Sequence, residues 1–316
     1  MSALVTVENV RKEFAVGREI LTAVDDVSLT IPRGETVGLV GESGCGKSTL
    51  ARLLVALLSP TRGRIHFDGV PLDRCSRREL RGLRRRFQMV FQDPHASLDP
   101  RLRVGRILEE PLQAQGVPRA ERRRRVREVT EQVGLPLDAL DRFPHRFSGG
   151  QRQRIGIARA LTVKPDLVVA DEPVAALDVS IQAQILNLLL DLKRQHGLTY
   201  LFIAHDLSVV EYISDWIGVM YLGQLVEWGR RDVICTQPQH PYTRSLLAAA
   251  PSPEPVQRTK RAERVEIKPP DPTQPPTGCP FHTRCPLVMD RCHRQRPRLQ
   301  TTEDGHRVAC HLYASD

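Results

Sequence analysis

Three short stretches hold residue types that could do chemistry together. The first, Gly41-Glu-Ser-Gly-Cys-Gly-Lys-Ser48, has the spacing G-x-x-x-x-G-K-[ST]. Glycines at that spacing let a loop curl until consecutive backbone N–H groups point inward, which suits phosphate oxygens. A lysine there reaches the β- and γ-phosphates, and the next hydroxyl ligates Mg²⁺, so Lys47 and Ser48 are the candidates. The second stretch, Leu167-Val-Val-Ala-Asp-Glu172, is an apolar run ending in two carboxylates. Adjacent residues at a strand end point different ways, so one carboxylate can hold a metal while the next addresses water. Asp171 is assigned to Mg²⁺ and Glu172 to the general base. The third is His205, which ends the apolar run Thr199-Tyr-Leu-Phe-Ile-Ala204 in the same manner. A lone histidine is more often structural, so its weight comes from the other two.

The elements around these residues explain how they could meet. Thr36–Val40, Leu167–Ala170 and Thr199–Ala204 read as parallel strands buried on both faces. Ser48 to Leu58 reads as the helix after the glycine loop, whose positive end would face the same anion. Ile181, Ile185, Leu188, Leu189 and Leu192 make a helical stripe, with Asp178 as N-cap and Gly197 past the end. Residues 1–80 otherwise read as short strands and turns. From about 81 to 165 the chain is arginine-rich helix. There Val126, Val129 and Val133 share a face and Gly134 stops the turn. This is an α/β pattern with an inserted helical part. Strand carboxyl ends line the ligand crevice in such folds, which puts Asp171, Glu172 and His205 near the loop.

Composition excludes much and selects little. The 316 residues carry 46 Lys+Arg against 37 Asp+Glu, and 41% are hydrophobic, which rules out global disorder. No apolar run approaches the roughly 18 residues of a spanning helix, and the first residues lack a signal-peptide pattern. A cytoplasmic location is therefore expected. Only six of the basic residues are lysines. The arginine runs 84–86 and 122–125 lack interleaved aromatics for base stacking, so nucleic-acid binding is not expected. Eight prolines fall between 251 and 276, which reads as an extended linker.

Four of the seven cysteines crowd the last residues: Cys279, Cys285, Cys292 and Cys310, at intervals x5, x6 and x17. An odd count in a reducing compartment argues against a disulfide framework. Four thiolates could hold Zn²⁺ or an iron–sulfur cluster, or the thiols could carry no ligand. Cys45, inside the glycine loop, is either activated by the helix terminus or simply small enough for a tight loop.

Ser148-Gly-Gly-Gln-Arg-Gln-Arg154 shortly precedes Asp171-Glu172. With it, the whole set over roughly residues 4–250 resembles an ATP-binding cassette (ABC) transporter ATPase with a P-loop NTPase (RecA-like) core. The resemblance implies the following roles. Phe14 stacks on adenine, and Gly41, Glu42, Ser43, Gly44, Cys45, Gly46, Lys47, Ser48 and Thr49 form the Walker A loop. Gln92 is the Q-loop glutamine, joining Ser48 and Asp171 around Mg²⁺, and His205 is the switch histidine. Lys47, Gln92, Glu172 and His205 form the catalytic set. Ser148, Gly149, Gly150 and Gln151 are the signature motif, which covers the γ-phosphate bound by a second subunit, and Asp178 belongs to the D-loop. Ser148 would also cap a helix whose N–H groups the glycines leave bare. Ala175 departs from the serine of many relatives.

The segments 91–101, Val219-Met-Tyr-Leu-Gly223 and His240-Pro-Tyr-Thr-Arg-Ser-Leu-Leu247 resemble the oligopeptide/dipeptide importer ATPases. The ending Gly305-His-Arg-Val-Ala-Cys-His-Leu-Tyr313 resembles their second ATPase subunit. This implies ATP-driven peptide import on the cytoplasmic face of the inner membrane, as a peripheral subunit. The partners would be a second, different ATPase, two permeases and indirectly an external peptide-binding protein. Nickel and glutathione importers share the subfamily. Some members bind a [4Fe–4S] cluster in the tail. The expected layout is an ATPase domain over 1–250 with a helical subdomain at about 93–165, a linker over 251–276, and a cysteine-rich module over 277–316.

Overall fold

The computed structural model describes residues 2–93, 97–249, 271, 274–302 and 305–313. Most of the proline-rich stretch lies outside the described residues, as do Pro94, His95 and Ala96 of the 91–101 segment.

Two sheets share the architecture. The antiparallel one orders β2 (Glu19–Pro32), β1 (Ala3–Val16), β4 (Arg62–Phe67) and β5 (Val70–Pro71). Strands β1 and β2 are 14 residues each, far longer than the short strands expected. Register shifts between Val7 and Val10 and between Val10 and Lys12 break their alternation, which hides them from a period-two reading. Asn9 and Asp26 take left-handed backbones there, at φ 46° and 56°.

The second sheet contains the parallel series β6 (Phe87–Val90), β7 (Leu167–Asp171), β8 (Thr199–Ala204), β3 (Thr36–Val40) and β9 (Trp216–Tyr221). It continues antiparallel through β10 (Gln224–Arg230), β12 (Arg307–Val308) and β11 (Gln300–Thr301). Glu227 pairs with Val308, so a segment near the C-terminus extends the main sheet. Strands β3, β7 and β8 are buried along their whole length, as continuous apolar runs dictate.

One hydrophobic cluster fills the space between the two sheets. The helix Lys47–Leu54 lies in it through Leu50, Ala51, Leu53 and Leu54. That helix is shorter than the expected 48–58, because Ala56 turns left-handed at φ 50° and Leu57 faces water. A second cluster covers the other face. It takes in the helices Val104–Ala114, Arg119–Gln132 and Gly149–Leu161, which the chain inserts between β6 and β7. Val126 and Val129 are buried there and Gly134 ends the turn at φ 69°. The helix Val179–His196 closes at Gly197 in the left-handed conformation. Its N-cap is Asp178, but the carboxylate makes no capping hydrogen bond, contrary to the usual role of that residue type.

Candidate functional site

The loop after β3 is shaped by contacts only glycine tolerates. Gly46 has φ 104°, and a Cβ there would sit 2.1 Å from the Ala23 carbonyl oxygen. A Cβ on Gly41 would sit 2.2 Å from the Met220 carbonyl oxygen. Gly44, by contrast, faces open space at φ 79°. The loop is thus pressed against β2 and β9 on one side and open on the other. Buried Lys47 lies across it, its Nζ donating to the Gly41 and Glu42 carbonyl oxygens at 2.6 and 2.9 Å. Both acceptors are uncharged, so an anion in the loop would give this buried cation the opposite charge they lack.

Strand β7 delivers the two carboxylates. The Ser48 hydroxyl donates to Asp171 Oδ1 at 2.9 Å. Burial holds the Asp171 carboxyl above its ordinary range, against the lowering pull of Ser48. A hydroxyl, a buried carboxylate and the nearby Gln92 amide are hard oxygen donors of the kind Mg²⁺ prefers, so the residues present fit the ion. Glu172 follows with φ 45°, a left-handed backbone that costs a non-glycine residue on the order of 1–3 kcal/mol. Its N–H is held by the Ile203 carbonyl of β8. Its carboxylate accepts from Gln92 Nε2 at 3.0 Å and lies 3.4 Å from His205 Nδ1. The strained turn aims Glu172 away from Asp171 and between the glutamine and the histidine.

Lys47, Ser48, Gln92 and Glu172, but not Asp171 or His205, border a cavity of about 570 Å³ that Phe14, Ser43, Gly44, Gly46 and Thr49 also line. A pocket of about 50 Å³ adjoins the other side of Glu172, against His205. The cavity also takes Arg11, Pro275 and Arg296, which the sequence reading missed. Arg296 pairs with Asp25 at 2.6 Å and donates to Gln224 at 2.9 Å. No local motif marks it, since its partners are about 70 and 270 positions away in the chain.

Ser148, Gly149, Gly150 and Gln151 do not line that cavity. They open the helix Gly149–Leu161 with a capping box: Ser148 Oγ accepts the Gln151 N–H at 3.3 Å and Gln151 Oε1 accepts the Ser148 N–H at 3.1 Å. Gly150 allows the neighbouring helix in, as a Cβ there would meet Ile181 Cγ2 at 2.5 Å. The signature turn and exposed Asp178 are therefore neighbours, next to Val179, which is 81% exposed.

Cys45 is buried, and burial pushes its thiol above the ordinary value despite Lys47 nearby. Of the two expectations for it, the small residue in a tight loop is the one this environment favours. The zinc or iron–sulfur expectation for Cys279, Cys285, Cys292 and Cys310 gains no support. Among the described residues, no three His, Cys, Asp or Glu side chains form a group able to hold a metal ion. Cys279 and Cys292 are buried in the hydrophobic cluster with Phe281, and burial, with the neighbouring thiols of Cys292, Cys310 and Cys285, raises the Cys279 thiol to about 11.

Comparison with known proteins agrees with this geometry. Residues 24–175 match the family model described as ABC transporter, and residues 226–292 match Oligopeptide/dipeptide transporter, C-terminal region. A putative peptide import ATP-binding protein of Brucella ovis is 53% identical over 309 residues, covering 97% of both chains. A putative oligopeptide transport ATP-binding protein of Bacillus subtilis is 50% identical over 315 residues, covering 98% of this chain and 95% of its own. The dimeric structure of a bacterial ABC transporter cassette is similar at TM-score 0.65 and 32% identity, over 72% of this chain and 98% of that one. A post-hydrolysis dimer bound to ADP and Pi matches over the same shares, at 33% identity and TM-score 0.65. Among the described residues no helix is long and apolar enough to cross a membrane. The chain belongs to the ATP-binding proteins of the ABC transporter family, on the branch that carries the oligopeptide/dipeptide transporter C-terminal region.

Proposed function

We propose that this chain powers the uptake of peptides through an ABC importer, as a peripheral subunit on the cytoplasmic face of the inner membrane. The observation that carries the ATPase reading is the convergence of Lys47, Ser48, Gln92 and Glu172 on one cavity, with Asp171 bonded to Ser48. The peptide reading rests on the C-terminal region and on the names of relatives about half identical over nearly the whole chain. Nickel or glutathione cargo, open at the level of sequence, is not favoured by those relatives.

In this reading Phe14 stacks on adenine and the loop 41–49 wraps the phosphates. Lys47 gives up its two carbonyl contacts for phosphate oxygens. Ser48, Asp171 and Gln92 hold Mg²⁺, which offsets charge on the β- and γ-phosphates when bound. Glu172 takes the proton of the attacking water, while Gln92 and His205 hold its carboxylate in place. The signature turn lies off its own cavity and beside exposed Val179, which fits a head-to-tail pair in which Ser148 to Gln151 cover the partner subunit's nucleotide. The similar dimeric cassettes support such a pair. ATP then bridges two subunits, and hydrolysis removes the differential contact that kept them closed.

The finer layout follows the same reading: an ATPase domain over 1–250, a linker over 251–276 and a module over 277–316. The second ATPase subunit is a different chain, with two permeases and an external peptide-binding protein completing the system. Co-purification with its permeases and reconstitution in vesicles test this. ATP-dependent peptide uptake is the expected result. Uptake of nickel or glutathione without peptide would refute the cargo.

A further inference from the structure

Glu42 is the second residue of the phosphate loop, and its carboxylate does not face the phosphate side. It accepts a two-pronged pair from Arg284, with Nη1 to Oε2 at 2.9 Å and Nη2 to Oε1 at 2.8 Å. Arg284 comes from the cysteine-rich tail, between Cys279 and Cys285. The pair is largely shielded, at 23% and 31% side-chain exposure. The guanidinium lies over the rings of Tyr221 and Phe281, at 5.8 Å from each centroid. Phe281 in turn packs edge-on against Tyr221 and tilted against Tyr242, with centroids at 5.3 and 5.4 Å. A planar, two-pronged contact backed by aromatic faces is what arginine makes and lysine does not. The main chain of Glu42 is tied as well, since its N–H donates to Tyr242 Oη at 2.9 Å.

The electrostatic consequence is specific. Lys47 Nζ rests on the Glu42 carbonyl, so the Glu42 carboxylate is within one side-chain length of the site that receives phosphate. A carboxylate released there would repel a polyanion in a partly shielded site, where charges act more strongly than in water. We infer that Arg284 is a positioning residue for ATP binding: the tail holds and neutralises Glu42, keeping the phosphate loop in its anion-accepting shape. Glu172, Gln92 and His205 have no part in this contact, and Lys47 touches only the Glu42 main chain, so the effect falls mainly on affinity rather than on the chemical step.

The test uses the full-length chain, with KM for ATP, kcat and direct binding of a fluorescent ATP analogue read together. Arg284→Gln should raise KM and the dissociation constant about tenfold, equivalent to about 1.4 kcal/mol, with kcat within about twofold. Adding Glu42→Gln should restore most of the affinity, because the unneutralised charge is gone. Arg284→Lys, which keeps charge without the fork, should fall between. Unchanged affinity in Arg284→Gln overturns the proposal. So does a loss that Glu42→Gln fails to rescue, since that marks a purely structural contact. If Arg284→Gln does not fold, Arg284→Lys decides: wild-type affinity there overturns the proposal, and an intermediate value upholds it.

Discussion

Replacing His240 by glutamine should flatten the acid side of the stability profile by about 2 kcal/mol. His240 is 2% exposed and its Nδ1 accepts the Tyr242 N–H at 3.0 Å, a contact that needs an unprotonated Nδ1. Burial lowers its pKa from 6.5 to about 4, outweighing the opposite pull of the Glu227 carboxylate. Between those values the unfolded chain takes up a proton that the fold refuses. This contribution to stability is therefore complete above pH 6.5 and is lost as pH falls toward 4. At about pH 5 the unfolded histidine is almost wholly charged and the buried one about nine-tenths neutral, which gives a loss of about 2 kcal/mol relative to pH 7. Urea unfolding of wild type and His240→Gln at both pH values isolates the effect, because every other titrating group is common to both. The wild type should lose about 2 kcal/mol more than the variant on acidification. Equal losses would refute the role assigned to burial, whatever the absolute stability of the variant.

Glu172→Gln should lower kcat by about 10²–10⁴ while ATP still binds, and should trap the closed pair in gel filtration with ATP; near-normal turnover would remove Glu172 as the base. Burial disfavours the charged form of Asp171, so in the nucleotide-free chain its ionisation costs stability as pH rises through the carboxylate range. Asp171→Asn should accordingly melt higher than wild type at neutral pH yet lose Mg²⁺-dependent turnover, and a lower melting temperature would contradict this. Ser148→Ala removes one half of the capping box and should cost about 1 kcal/mol in unfolding free energy. A thiol reagent should modify Cys45 far more slowly in the native chain than in urea, because burial keeps that thiol protonated; fast native modification would show an open loop.

The parallel strands β3, β7 and β8 were legible because both faces are buried and their apolar runs are continuous. The phosphate loop, Asp171, Glu172 and His205 were legible for a related reason: each belongs to a strand end, where type and position in the chain are enough. Strands β1 and β2 were obscured by bulges that shift the alternation. Arg284, Arg296 and Tyr242 were invisible as site residues. Their meaning lies in partners such as Glu42, 242 positions from Arg284, and no local spacing encodes that. The tail is a different case. Four cysteines in a short stretch suggested a ligand set, which gains no support from the described residues, where Cys279 and Cys292 are buried beside Phe281.

The Glu42–Arg284 contact also bears on the order in which the chain acquires its shape. A ribosome finishes the whole set of nucleotide-site motifs, through His205, well before it reaches Arg284 or the strand β12 that pairs with β10. Until then Glu42 has no cation from the tail, and the outer edge of β10 is bare, a template for unwanted strand pairing. On the role inferred for Arg284, the nascent cassette passes through a stage rich in motifs but weak in nucleotide grip, and its release from that stage coincides with closure of its longest loops.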